Sequence, residues 1–106
     1  AISLDSNLSE AYHNRANLRI AAEDLESAIE DLSSVIRLNP NTPKYRMERA
    51  RILIMTQNTD RAAADLEKVL AITQDESLAM RAKEMLNTLN IASNVSMYLP
   101  IQHMQD

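Results

Sequence analysis

The chain has 106 residues, room for one domain with a modest core, and its 45% hydrophobic content excludes a disordered polymer. A net charge of −4 withholds the basic surface that nucleic acid or an anionic membrane needs, and the absence of Cys excludes disulfides and thiolate chemistry. Gly is absent too, so tight primed hairpin turns are hard to make, whereas Ala, Leu, Glu, Arg and Met are plentiful helix formers; the fold class is all-α.

In chain order, the opening "AISLDSN" lacks the basic and apolar zones of a secretory leader. No apolar run approaches the roughly 20 residues that span a bilayer. With no Cys to oxidise, the expected compartment is reducing and cytoplasmic. Asn7-Leu8-Ser9 and Asn94-Val95-Ser96 match the glycosylation tripeptide, a pattern short enough to arise by chance. Apolar spacing predicts helices over 9–21, 24–38, 43–56, 59–72 and 76–91. Asn41-Thr42-Pro43 reads as a helix entry with Thr42 as N-cap and Pro43 in the first turn. Asn58 or Thr59 opens the fourth helix and Asp75-Glu76-Ser77 the fifth, on which Leu78, Ala82, Met85 and Leu89 form one stripe.

The second and fourth helices repeat each other. "AIEDLSSVIRLNPN" at 28–41 and "AAADLEKVLAITQD" at 62–75 lie 34 residues apart. Laying 9–42 over 43–76 without a gap gives seven identities: Arg15/Arg49, Ala16/Ala50, Ile20/Ile54, Ala28/Ala62, Asp31/Asp65, Leu32/Leu66 and Val35/Val69. Small Ala16 and Ala28 let two antiparallel helices approach closely, and Leu32 and Val35 fill the space between units. The twice-repeated Arg and Asp, sixteen residues apart, predict an ion pair inside each unit.

This period and pattern resemble the tetratricopeptide repeat, a helix–turn–helix unit of about 34 residues. Tyr12, Ala16, Ala28, Leu32, Val35 and Pro40 stand on its signature positions in the first unit. The second keeps Ala50, Leu53, Ala62, Leu66 and Val69, with Arg46 replacing the early aromatic and Gln74 the Pro. The resemblance implies a right-handed α-solenoid of antiparallel helix pairs, divided as the end of a preceding unit (1–8), two units (9–42 and 43–76), a capping helix (77–92) and a tail (93–106). A third unit fails in the 34-residue register, since Ser96 stands where the small Ala belongs and Pro100 where a large apolar residue belongs. The family usually places Gly in the left-handed turn between paired helices, where this chain has Glu23 and Gln57. That implies backbone strain there, or a turn shifted onto Asn58 in the second unit.

Enzymatic constellations are missing. His13 and His103 are the only histidines, and Glu10, three residues before His13, is too little to hold a metal. No Gly-rich phosphate loop exists, so neither catalysis nor a cofactor is expected. In the tetratricopeptide family the first helix of each unit lines a concave groove. Carried over, the groove candidates are Glu10, His13, Asn14, Asn17 and Ala21, then Lys44, Met47, Glu48, Arg51 and Met55, continued by Leu78, Arg81 and Met85. The implied function is a scaffold that holds a peptide segment of a partner protein, with a groove neutral to mildly positive on an acidic body. One branch of the family clamps chaperone carboxylates with Lys, Asn and Arg. Asn14 and Lys44 match it, but Glu48 stands where Arg is needed and His13 where Lys is useful, and a carboxylate facing a carboxylate lowers affinity. The alternative is self-assembly into homo-oligomers through the stack ends, with Ile2 and Leu4 at one end and Met97, Leu99 and Ile101 at the other.

Overall fold

The computed structural model describes the backbone of residues 2–105 and the side chains of residues 7–90. Five helices follow one another, α1 Ile2–Ala21, α2 Leu25–Leu38, α3 Pro43–Met55, α4 Thr59–Ile72 and α5 Glu76–Gln105, with no strand among the described residues. α1 packs along α2 and α3 along α4, while α3 rests on α2 and α5 on α4. The result is an all-α helical repeat stack.

Its core is centred on residues that the repeat singled out. Ala16, Ala28, Ala50 and Ala62 are fully buried, as are Leu32, Val35, Leu66 and Val69. A side chain of one methyl at the crossing of each pair lets the backbones close up, and the branched residues beyond it fill the gap to the next pair. On α5, Ala82 is buried and Leu78, Met85 and Leu89 are half-buried against the same core.

The turns inside the pairs solve the missing-glycine problem by accepting strain. Glu23 has φ 62° and Gln57 has φ 66°, both in the left-handed region. Each follows the same closing pattern: Glu23 N–H donates to Ile20 O at 3.0 Å and Asp24 N–H to Arg19 O at 2.8 Å. Gln57 N–H donates to Ile54 O at 3.0 Å and Asn58 N–H to Leu53 O at 2.7 Å. These two bonds are the Schellman arrangement, which satisfies helix-end carbonyls only if one residue turns left-handed. The left-handed residue of the second unit is therefore Gln57 and not Asn58, whose φ is −92°. Asp24 then caps α2 by accepting from Ser27 N–H, whereas Asn58 makes no side-chain cap to α4 and donates to Thr56 Oγ1.

The helix limits agree with the spacing in the interior of the chain and differ at both ends. α1 runs unbroken from Ile2 where a start at 9 was expected, because Ser6, Asn7 and Ser9 permit a cap but no Gly or Pro forces one. α5 continues past 91 through Pro100 to Gln105, and it takes in the stretch expected as a tail. Arg46, standing where the family has an aromatic ring, donates to Pro40 O and ties the start of α3 to the preceding turn. Asn39, the C-cap of α2, donates to Ser9 Oγ at 2.7 Å and to Val35 O at 2.9 Å, joining the two ends of the first unit.

The repeated Arg and Asp meet as the repeat predicts. Arg15 donates through Nε and Nη2 to Asp31 at 3.0 and 2.7 Å, and Arg49 does the same to Asp65 at 2.7 and 2.6 Å. The carboxylates are buried between the paired helices, with side-chain exposure of 2% for Asp31 and 6% for Asp65. Arg19, one turn after Arg15, adds a third bond to Asp31 at 3.0 Å. Its counterpart in the second unit is Leu53, so Asp65 depends on one Arg, which also reaches Ser33 Oγ across the unit boundary at 3.0 Å. The hydrogen bond from Arg15, helped by the charges of Arg15 and Arg19, holds the Asp31 carboxyl below its ordinary range against the opposing pull of burial. The same contact raises Arg15.

Candidate functional site

The stack leaves a concavity of about 420 Å³ between α3 and α5. α3 contributes Lys44, Met47, Glu48 and Arg51, and α5 contributes Leu78, Arg81, Glu84 and Met85. Residues at these offsets of three and four share one helix face, and each helix start is fixed locally. Pro43 stands in the first turn of α3, and Asp75 Oδ1 accepts the N–H groups of Ser77 at 2.9 Å and Leu78 at 3.4 Å at the start of α5. Leu78 and Met85 are half-buried because one side of each meets the core and the other faces the concavity.

Seven of the groove candidates from the sequence thus stand together: Lys44, Met47, Glu48, Arg51, Leu78, Arg81 and Met85. His13 lies beside them on α1, with Nε2 2.8 Å from Glu48 Oε1 and its ring edge-on to Tyr45 at 5.3 Å. Lys44 Nζ sits 5.1 Å from the centroid of that Tyr45 ring. Glu10, Asn14, Asn17 and Ala21 are exposed on α1 and Met55 on α3, outside this concavity. The stack-end residues Ile2, Leu4, Met97, Leu99 and Ile101 lie outside the described side chains.

Two participants escaped sequence reasoning. Tyr45 is one, and only its place one residue after Lys44 hinted at it. Glu84 is the other: the 34-residue register carries Ala50 onto it and marks it as core. In the structure Ala82, a member of the apolar stripe of α5, takes the buried small position, and Glu84 faces the groove.

Three cations, Lys44, Arg51 and Arg81, share the concavity with two carboxylates, Glu48 and Glu84. Among the described residues none of those cations forms an ion pair. The described side chains contain no group of three or more His, Cys, Asp or Glu able to hold a metal. No described helix is long and apolar enough to cross a membrane. The arrangement offers hydrogen-bond donors and positive charge around an apolar floor, a surface suited to recognition.

The family model for the tetratricopeptide repeat matches residues 15–87, more than half of the chain. The chain belongs to the tetratricopeptide repeat family. Repeats of this family generally mediate protein–protein interaction and are not themselves catalysts. Among curated proteins, the chain is similar to sperm-associated antigen 1 of Mus musculus and of Homo sapiens, 34% identical to each over 71 residues. These matches cover 67% of this chain and 8% of each antigen. It is also similar to human DnaJ homolog subfamily C member 3, 30% identical over 76 residues, covering 72% of this chain and 15% of that protein. The chain therefore spans a small fraction of the relatives it matches. No solved structure matches it significantly.

Proposed function

We propose that this tetratricopeptide module holds a peptide segment of a partner protein in the α3–α5 concavity, and that the segment carries acidic residues beside an apolar anchor. The observation that carries this reading is the grouping of Lys44, Arg51 and Arg81, without ion-pair partners among the described residues, around Met47, Leu78 and Met85. Met side chains adapt to differently shaped apolar partners, so the floor suits an anchor of loose shape. The cations at the rim select sign and speed encounter more than they add affinity. A shallow, polar groove of this kind gives micromolar binding.

The test is fluorescence anisotropy at low ionic strength with a fluorescein-labelled peptide carrying a central leucine between glutamates, beside a lysine-flanked version. Arg51→Ala and Arg81→Ala should each weaken the acidic peptide about two- to fivefold, the range of an exposed charge pair. Met47→Ala should weaken both peptides. Preference for the lysine-flanked peptide, or affinity indifferent to all three changes, would remove the groove from consideration.

A further inference from the structure

The groove contains a carboxylate that should work against it. Glu48 stands on α3 one turn after Lys44 and one turn before Arg51, and side chains three and four apart on a helix are neighbours. A Glu so placed would ordinarily fold onto one of these cations and occupy the positions where a ligand carboxylate has to bind. It does neither: its carboxylate is 2.8 Å from Nε2 of His13, on the first helix of the other unit. A carboxylate only accepts, so Nε2 carries the proton. We infer that His13 is a specificity-determining positioning residue, which holds the Glu48 carboxylate toward α1 and so leaves Lys44 and Arg51 open to an acidic ligand.

The surroundings of the pair are built for this. Both side chains are about seven-tenths buried, at 28% and 29% exposure, enough to hold one geometry. Tyr45 lies edge-on to the His13 ring, with the centroids 5.3 Å apart, and carries Lys44 Nζ 5.1 Å from the centroid of its own ring. One aromatic side chain therefore orients the imidazole toward Glu48 and gives Lys44 a resting place that is not a carboxylate. The hydrogen bond leaves the charge of Glu48 in place and decides only where that charge sits. Neither partner has a counterpart in the repeat, since the 34-residue register carries His13 onto Met47 and Glu48 onto Ala82, so the contact is not a by-product of unit packing. Glu10, one turn before His13 on α1, is the nearest competing carboxylate in sequence.

This inference rests on the groove reading above, and the experiment separates the two. The same glutamate-flanked, leucine-centred peptide is titrated against the wild type, His13→Ala, His13→Gln, Glu48→Gln and the His13→Ala/Glu48→Gln double variant. Releasing Glu48 with His13→Ala should weaken the acidic peptide about twofold, the size of one surface ion pair gained by a groove cation. His13→Gln keeps an N–H donor and should restore most of the loss. Glu48→Gln should tighten the acidic peptide, and His13→Ala should have no further effect in that background. Nitrogen-detected imidazole NMR gives a readout independent of binding: the Nε2–H tautomer should dominate in the wild type and be less populated in Glu48→Leu, which leaves Nε2–H no acceptor. Equal loss on His13→Ala with and without Glu48 would overturn the inference, because His13 would then act through packing alone. Binding that follows Arg51 and Arg81 but ignores His13 would overturn it and leave the groove reading standing. Binding that ignores Arg51, Arg81 and Met47 removes both.

Discussion

The two Arg–Asp pairs look alike in the repeat, yet the structure makes them unequal, and that difference can be measured. Asp65 accepts two bonds from Arg49 alone, at 2.7 and 2.6 Å, and is almost wholly removed from water, while Arg49 keeps 20% of its side chain exposed. An exposed pair is worth about 0–1 kcal/mol, and removing one partner of a fully buried pair costs about 3–5 kcal/mol. With the carboxylate buried and the guanidinium tip in partial contact with water, Asp65→Ala should cost about 2–3 kcal/mol. Arg49→Met should cost a similar amount, because it strands a carboxylate with no second Arg. Arg15→Met should cost less, because Arg19 remains on Asp31 at 3.0 Å and Arg15 is itself 53% exposed. Urea unfolding followed by circular dichroism at 222 nm reads these differences as shifts of the midpoint at constant slope. A double-mutant cycle with Arg49→Met and Asp65→Leu isolates the pair, and the double variant should recover part of the loss, since two apolar groups leave nothing unpaired. A coupling within about 0.3 kcal/mol of zero would refute the reasoning, as independent sites add within that margin. Equal losses for Arg15→Met and Arg49→Met would refute the asymmetry.

Three further outcomes follow from the same geometry. Glu23→Gly and Gln57→Gly should each raise the thermal midpoint, because both residues are left-handed at nearly equal φ and a Cβ there costs about 1–2 kcal/mol, partly offset by the flexibility Gly adds to the unfolded chain. A turn shifted onto Asn58 would make the gain at Gln57 the smaller one, so comparable gains at both sites in differential scanning calorimetry would support the left-handed Gln57. Asn58→Asp should add about 0.5 kcal/mol by giving α4 the side-chain cap and N-terminal negative charge that Asp24 already gives α2; an unchanged urea midpoint would count against it. Asp31 has its carboxyl depressed by Arg15, so its contribution is complete above the ordinary carboxylate range and is lost as pH falls through the lower folded value. Asp31→Asn should therefore flatten the acid limb of a stability-against-pH curve, and an unchanged limb would show that other carboxylates control it.

Local chemistry and repetition decided much of this molecule before any packing. Three of the five helix starts carry a side-chain cap or a first-turn Pro that is written in the chain, at Asp24, Pro43 and Asp75. The buried Ala, Leu and Val set, and the pairing of Arg15 with Asp31 and Arg49 with Asp65, could be read because each feature occurs twice at one offset. A coincidence at one site is uninformative, whereas the same residue types at the same offset point to one shared contact.

Other features belong to the tertiary structure alone. Nothing in the repeat announces the third bond to Asp31, because Arg19 has Leu53 as its counterpart. Glu84 joins the groove because α5 packs on α4 with its face opposite α3, which no repeat of Glu84 announces. The contact between His13 and Glu48 joins residues 35 apart in sequence and has no second copy to betray it. Helix period fixes which side chains share a face of one helix, but which faces meet depends on how closely the small residues let neighbouring pairs approach. That distance is a property of the assembled core.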